Sequence, residues 1–265
     1  LLCAPFAARA RMFFFRGRSH KKVVLARTFC IAALVFPAFP RYSRDRKTQT
    51  DIFTGVFAVE IPLQEFERAA QRLKGVLHHT ELDLSATFSA MTGGNIYLKY
   101  ENSQKTGSFK IRGASNKIAA LVERGETGAV VASSAGNHAQ GVAYAAHRFG
   151  IPATIVMPKT APIAKAKATE GYGATVVLAG DCYDDAYAKA REICEQEHAT
   201  FLHPYNDPEV IAGQGTLGLE ILGDLPTADV VIVPAGGGGL LAGVAACIKQ
   251  INPRVQVIGV QAEGA

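Results

Sequence analysis

Tryptophan is absent from this 265-residue chain, methionine occurs three times, and aromatic residues make up only 8%. Cysteine is sparse and scattered: Cys3, Cys30, Cys182, Cys194 and Cys247 form no CxxC pair. That spacing excludes a zinc site or a disulfide framework and suits reduced thiols in a cytoplasmic protein. The apolar run Thr28 to Phe39 contains Pro37. It is about half the ~20 residues that a bilayer-spanning helix needs, so no membrane role is expected. Acidic residues are almost missing from residues 1–50, where Asp45 stands alone against 11 Lys and Arg. The remaining residues hold 17 basic and 22 acidic side chains, so the overall charge of +5 comes from the leader. No nucleic-acid footprint is left once the leader is set aside. The 26 glycines follow no period, which excludes a collagen-like chain.

What is present is globular: 48% hydrophobic and 19% charged residues, too apolar for a disordered chain. Residues 1–55 differ from the rest. Their basic and apolar stretches read as a signal peptide, an organelle transit peptide, or a non-native or disordered extension, and they are expected to stay outside the fold. Further on, Leu63, Phe66, Ala69, Ala70, Leu73 and Leu77 recur at helical spacing and predict a helix ending near Gly75. Short apolar runs then alternate with helical patterns. Asn95–Tyr100, Val130–Ala132, Thr154–Met157, Thr175–Leu178, Phe201–His203, Val230–Val233 and Val255–Val260 read as strands. Apolar strands joined by crossover helices predict parallel sheet in an α/β fold.

Three loops carry chemistry. The first, Thr106 to Lys110, opens a helix over Ile111 to Val122 with Ser108 as a candidate N-cap. Lys110 then falls in the first turn, where the positive helix end disfavours an ammonium and favours a neutral, nucleophilic amine suited to a Schiff base. A solvated surface lysine is the competing reading. The second, Ser133 to His138, follows a strand and opens a helix stopped by Gly150. Its free amides and small polar side chains suit a carboxylate, or else Asn137 is only a cap. The third, Gly236 to Gly239, lies between a strand and a helix starting near Leu240. Four glycines allow amides to wrap a phosphate closely. No Gly-Lys-Ser/Thr follows, so this is not a P-loop. Gly237, Gly239 and Ala242 with Glu263 do satisfy a loose dinucleotide pattern, which leaves open a non-enzymatic nucleotide-binding regulatory module. A lysine, a phosphate cup and a carboxylate cradle together are the set that pyridoxal 5′-phosphate and an amino-acid substrate require.

The segments Tyr97–Asn102, Gln104–Ala114, Ser134–Gly141, Val210–Thr216 and Pro234–Leu240 occur in order over roughly 200 residues. In them the chain resembles the serine/threonine dehydratases of fold-type-II pyridoxal-phosphate enzymes, most of all the catabolic threonine dehydratases. The resemblance implies two α/β domains with the cofactor in the cleft between them. The smaller would cover about residues 128–205, and the larger 56–127 plus 206–265. Lys110 would form the Schiff base and take the substrate Cα proton, with Phe109 beside the pyridine ring. Asn137 would bond the cofactor's 3′-oxygen, and Gly236, Gly237, Gly238, Gly239 and Leu240 would form the phosphate cup. Ser134, Ala135, Gly136, Asn137 and His138 would form the loop that receives the substrate carboxylate. Threonine would give 2-oxobutanoate and serine pyruvate, each with ammonia. Serine racemase shares the fold, but its opposite-face proton donor is a serine directly before Gly-Asn-His, where this chain has Ala135. Family members have a Thr-Pro pair where Thr80-Glu81 stands. Cation-dependent relatives have a glutamate where Gln261 stands, so no metal is expected. The family continues beyond the position of Ala265 into a residue for the pyridine nitrogen and, in many members, a regulatory domain. The chain is therefore expected to be a fragment of a homo-oligomeric enzyme.

Overall fold

The computed structural model describes residues 60–261 and the strand path of residues 22–27. In chain order the elements are β1 (Lys22–Arg27), α1 (Leu63–Leu73), β2 (Leu82–Leu84), α2 (Ala86–Thr92), β3 (Asn95–Tyr100), α3 (Lys110–Glu123), β4 (Val130–Ser133), α4 (Asn137–Phe149), β5 (Ala153–Met157), α5 (Ile163–Gly171), β6 (Thr175–Leu178), α6 (Tyr183–Gln196), β7 (Thr200–Phe201), α7 (Pro208–Asp224), β8 (Val230–Pro234), α8 (Gly239–Ile251) and β9 (Gln256–Val260). They build two sheets. One has the order β2-β3-β1-β8-β9 and the other β6-β5-β4-β7.

The second sheet is parallel throughout and covered on both faces. Val130, Ala132, Ile155 and Met157 join one core with Ile118, Val142, Ala143 and Ala146 from α3 and α4. The intervening Val131 and Val156 point the other way, onto Ala186, Ala190 and Ile193 of α6. Alternation across a strand buried on both sides is what makes β4 read as a continuous apolar run. In the first sheet, Val231 and Val233 of β8 pack on Leu217 and Ile221 of α7 and on Val244 and Ile248 of α8.

The helix α3 is buried along most of its length because α1, α4 and α7 all pack against it. It thereby ties the two sheets together and carries Lys110 at its first residue.

Three expectations change. First, Lys22–Arg27 falls within residues 1–55, the segment expected outside the fold. It instead inserts between β3 and β8, parallel to both. The adjacent Val23 and Val24 favour a strand, a signal that the basic composition of the segment hid. The other residues of 1–55 before Glu60 lie outside those described. Second, β2 pairs with β3 antiparallel, so the first sheet is mixed at that edge. Third, Ser108 is not the N-cap of α3; Phe109 is, and the Ser108 hydroxyl accepts the Lys110 amide at 3.4 Å.

Candidate active site

Lys110 is placed by α3, and α3 is placed by its third residue. Arg112 is fully buried. Its guanidinium donates to both carboxylate oxygens of Glu101, at 2.7 and 2.8 Å, and to both of Glu220, at 2.6 and 3.0 Å. Burial opposes its charge, but the two carboxylates outweigh this and hold its pKa above the ordinary value. Glu101 also accepts the Thr80 hydroxyl at 2.7 Å, and Lys99 binds Glu220 at 2.9 Å and Asp224 at 3.2 Å. The network fixes the start of α3 against β3 and α7. Glu101 and Arg112 lie in the sequence segments that carried the resemblance, yet sequence gave no reason to assign them a task. Arg112 stands 11 residues from Glu101 but 108 from Glu220, and the second pairing is the one that local sequence does not show.

The Lys110 amine donates to the Pro204 carbonyl at 2.8 Å. No acid pairs with it among the described residues, and burial lowers its pKa to about 8. An amine with that pKa has a sizeable neutral, nucleophilic fraction near neutral pH.

A cleft of about 400 Å³ opens beside it, lined by Lys110, Ser133, Ser134, Gly136, Asn137, His138, Lys165, Tyr183, Pro204 and Tyr205. The loop 134–138 arrives there because β4 ends at Ser133 and α4 begins at Asn137, with Gly136 as its N-cap. The start of α4 thus borders the cleft, and a helix start suits an anion. The His138 ring is buried, and its Nε2 lies 3.0 Å from the Leu202 carbonyl. A carbonyl only accepts, so Nε2 carries the proton and Nδ1 keeps its lone pair. Burial, and after it the nearby Lys110, pushes the His138 pKa down to about 3, so the ring is neutral. Its Nδ1 and the buried Ser133 hydroxyl have no partner among the described residues.

The glycine loop enters from the other sheet, at the end of β8. Gly238 caps α8 with φ +85°, a conformation that favours glycine. A Cβ on Gly237 would strike the Tyr205 ring, and one on Gly239 would stand 2.7 Å from the Tyr205 carbonyl. The loop is thus a close-fitting cradle at a helix start, joined to the cleft through Tyr205. Leu240 is buried beneath it.

Of the residues singled out from sequence, Lys110, Ser134, Gly136, Asn137 and His138 line the cleft. Phe109 packs against the core of the first sheet, its ring centroid 5.4 Å from the Lys110 amine. Ala135 does not line the cleft; it packs on the core of the second sheet. Gly236 to Gly239 and Leu240 do not line the cleft itself; Gly237 and Gly239 border Tyr205, and Leu240 joins the core of the first sheet. Ser133, Lys165, Tyr183, Pro204 and Tyr205 are cleft residues that sequence did not single out as a group. Tyr205 follows a strand end, which is the one local signal that could have marked it.

The donor set fits pyridoxal phosphate: a partly neutral lysine for its aldehyde, a glycine cradle at a helix start for its phosphate, and unpaired buried polar atoms beside them. Residues 74–265 match the pyridoxal-phosphate dependent enzyme family, and the chain belongs to it. The cofactor of that family is pyridoxal phosphate.

Among relatives, the chain is 59% identical over 203 residues to L-threonine ammonia-lyase of Thermotoga maritima, covering 77% of this chain and 51% of that protein. Among solved structures, maize serine racemase matches with a TM-score of 0.73 and 38% identity, over 76% of this chain and 61% of that one. The processed form of threonine deaminase isoform 2 from Solanum lycopersicum matches with a TM-score of 0.69 and 40% identity, over 78% and 63%. The chain thus spans between half and two thirds of the length of each of these proteins.

Proposed function

We propose that the protein to which this chain belongs is a pyridoxal-phosphate-dependent threonine dehydratase. It converts L-threonine to 2-oxobutanoate and ammonia, and L-serine to pyruvate and ammonia. The observation that carries this reading is Lys110: a buried amine with its pKa lowered to about 8, at the mouth of a cleft edged by an anion-binding helix start. The 59% identity to a threonine ammonia-lyase supports the choice of substrate.

When bound, the cofactor supplies an electron sink that makes the substrate Cα proton removable. Lys110 holds the cofactor's aldehyde carbon and later takes that proton. Phe109 flanks the ring, Asn137 bonds the ring oxygen, and the amides of Gly236 to Gly239 with Leu240 hold the phosphate. The loop 134–138 orients the substrate through its carboxylate. The two sheets correspond to a small domain over about 128–205 and a larger one from the flanking segments. The assembly is a homo-oligomer in the cytoplasm, in keeping with the unpaired Cys182, Cys194 and Cys247. No helix among the described residues is long and apolar enough to cross a membrane.

The test is Lys110→Ala in the intact enzyme. It is expected to abolish the visible absorbance of bound cofactor, borohydride trapping of the cofactor, and 2-oxobutanoate formation, the last by several orders of magnitude. Trapping at a different lysine would overturn the assignment.

A further inference from the structure

Lys110 is not the only cation in the cleft. Lys165 also lines it, with Ser134, Gly136 and Asn137. It lies in the first turn of α5, three residues after the Pro162 cap. That end of a helix carries partial positive charge and disfavours an ammonium. A structural lysine there would be expected to have an acidic partner, as Lys117 has in Asp207 and Glu209 and Lys189 has in Glu192. The Lys165 amine has no ion pair or hydrogen bond among the described residues.

Its position relative to the loop is specific. A Cβ built on Gly136 would stand 3.9 Å from the Lys165 Nζ and meet nothing else within 4 Å. The amine therefore faces the start of α4 across open space. One further donor lining this cleft is also unsatisfied: the hydroxyl of Ser133, a fully buried residue, has no partner among the described residues. Buried polar atoms usually have partners, and leaving them unmet is costly. An unpaired ammonium and an unpaired hydroxyl beside a helix start call for a ligand rich in acceptors. Lys110 does not fill that role, because its amine is bonded to the Pro204 carbonyl and is partly neutral.

We propose that Lys165 binds the α-carboxylate of the amino-acid substrate, reaching it from α5 while the loop 134–138 holds it from α4. The inference rests on the reading of this cleft as an amino-acid site and adds the residue that supplies full positive charge there. Because Lys165 sits on α5 and Lys110 on α3, one substrate then bridges the helices of both sheets.

The experiment compares the intact enzyme with Lys165→Met and Lys165→Arg. Loss of a charge-assisted hydrogen bond is expected to raise the KM for L-threonine roughly tenfold to a hundredfold in Lys165→Met. Its kcat changes far less, its visible cofactor band stays unaltered, and Lys165→Arg restores much of the affinity. Calorimetry with 2-oxobutanoate, which has the carboxylate but no amine, should show the same weakening without any turnover. L-threonine amide, which lacks the carboxylate, should bind Lys165→Met and the unmodified enzyme equally. Unchanged 2-oxobutanoate affinity in Lys165→Met, or equal weakening of the amide, would overturn the proposal. Absence of threonine turnover by the unmodified enzyme would instead overturn the proposed function, and the calorimetry would still judge Lys165.

Discussion

Lys110 at the start of α3 and Ala135 in the loop before α4 show how burial sets chemistry at the residue scale. Lys110 in the cofactor-free protein has a pKa near 8 because burial disfavours its charge. Between about 8 and the model-peptide value near 10.4, the unfolded chain binds a proton that the folded chain does not. Stability of the cofactor-free protein is therefore expected to rise with pH across that window, and Lys110→Met should remove the rise in a denaturant series. Over the same window, the rate of aldehyde addition to Lys110 should reach half its maximum near pH 8. A midpoint above pH 10 would show an ordinary lysine. Ala135 bears on the alternative of racemisation. A second proton donor on the face opposite Lys110 is needed to invert Cα, and a methyl group packed on the core of the second sheet supplies none. The enzyme is expected to form 2-oxo acid with almost no D-serine. Chiral chromatography beside a 2-oxo-acid assay measures the ratio, and rapid D-serine formation would refute the dehydratase reading.

Elements meet closely where glycine lets them. The helices α7 and α8 cross with Gly243 against Gly215, so that a Cβ on Gly243 would strike the Ile211 carbonyl and stand 2.8 Å from the Gly215 nitrogen. These are backbone atoms, which cannot swing aside as a side chain can. Gly243→Ala should therefore separate the helices and cost about 1–3 kcal/mol, the usual range for overpacking. Because α8 begins at the glycine cradle, cofactor affinity should fall along with stability. A thermal melt and a cofactor titration measure the two, and unchanged values in both would mean the crossing tolerates a methyl group. Exposed glycines such as Gly223 meet nothing within 4 Å and offer a control for general effects of the substitution.

At the scale of the whole molecule, one buried charge cluster joins the first sheet to the helix that carries the lysine. Arg112→Leu would leave Glu101, which is fully buried, with only the Thr80 hydroxyl, whereas Glu220 would keep Lys99. An uncompensated buried charge typically costs about 3–5 kcal/mol, and urea unfolding should show a loss of that size. Adding Glu101→Leu should recover a large part of it, since removing both partners leaves no charge stranded. Failure of the double variant to recover any stability would mean that the arginine acts through packing rather than through charge.

Sequence determined the elements whose signals are local. Strand runs such as Val130–Ala132 were legible because strands covered on both faces must be apolar throughout. Gly150 marked the end of α4 because its left-handed backbone, φ +69°, favours glycine. Lys110, the loop 134–138 and the glycine loop were legible because helix starts carry a fixed field that makes particular residues there conspicuous. Tertiary structure alone decided the rest. It brought Pro204 and Tyr205 to the cleft from the end of β7, paired Arg112 with carboxylates at positions 101 and 220, turned Ala135 into the core, and faced Lys165 toward Gly136. It also placed Lys22–Arg27 between β3 and β8, where composition had set the segment aside. Each of these depends on chain segments that are distant in sequence, and local propensity and periodicity do not encode which distant segment becomes the neighbour.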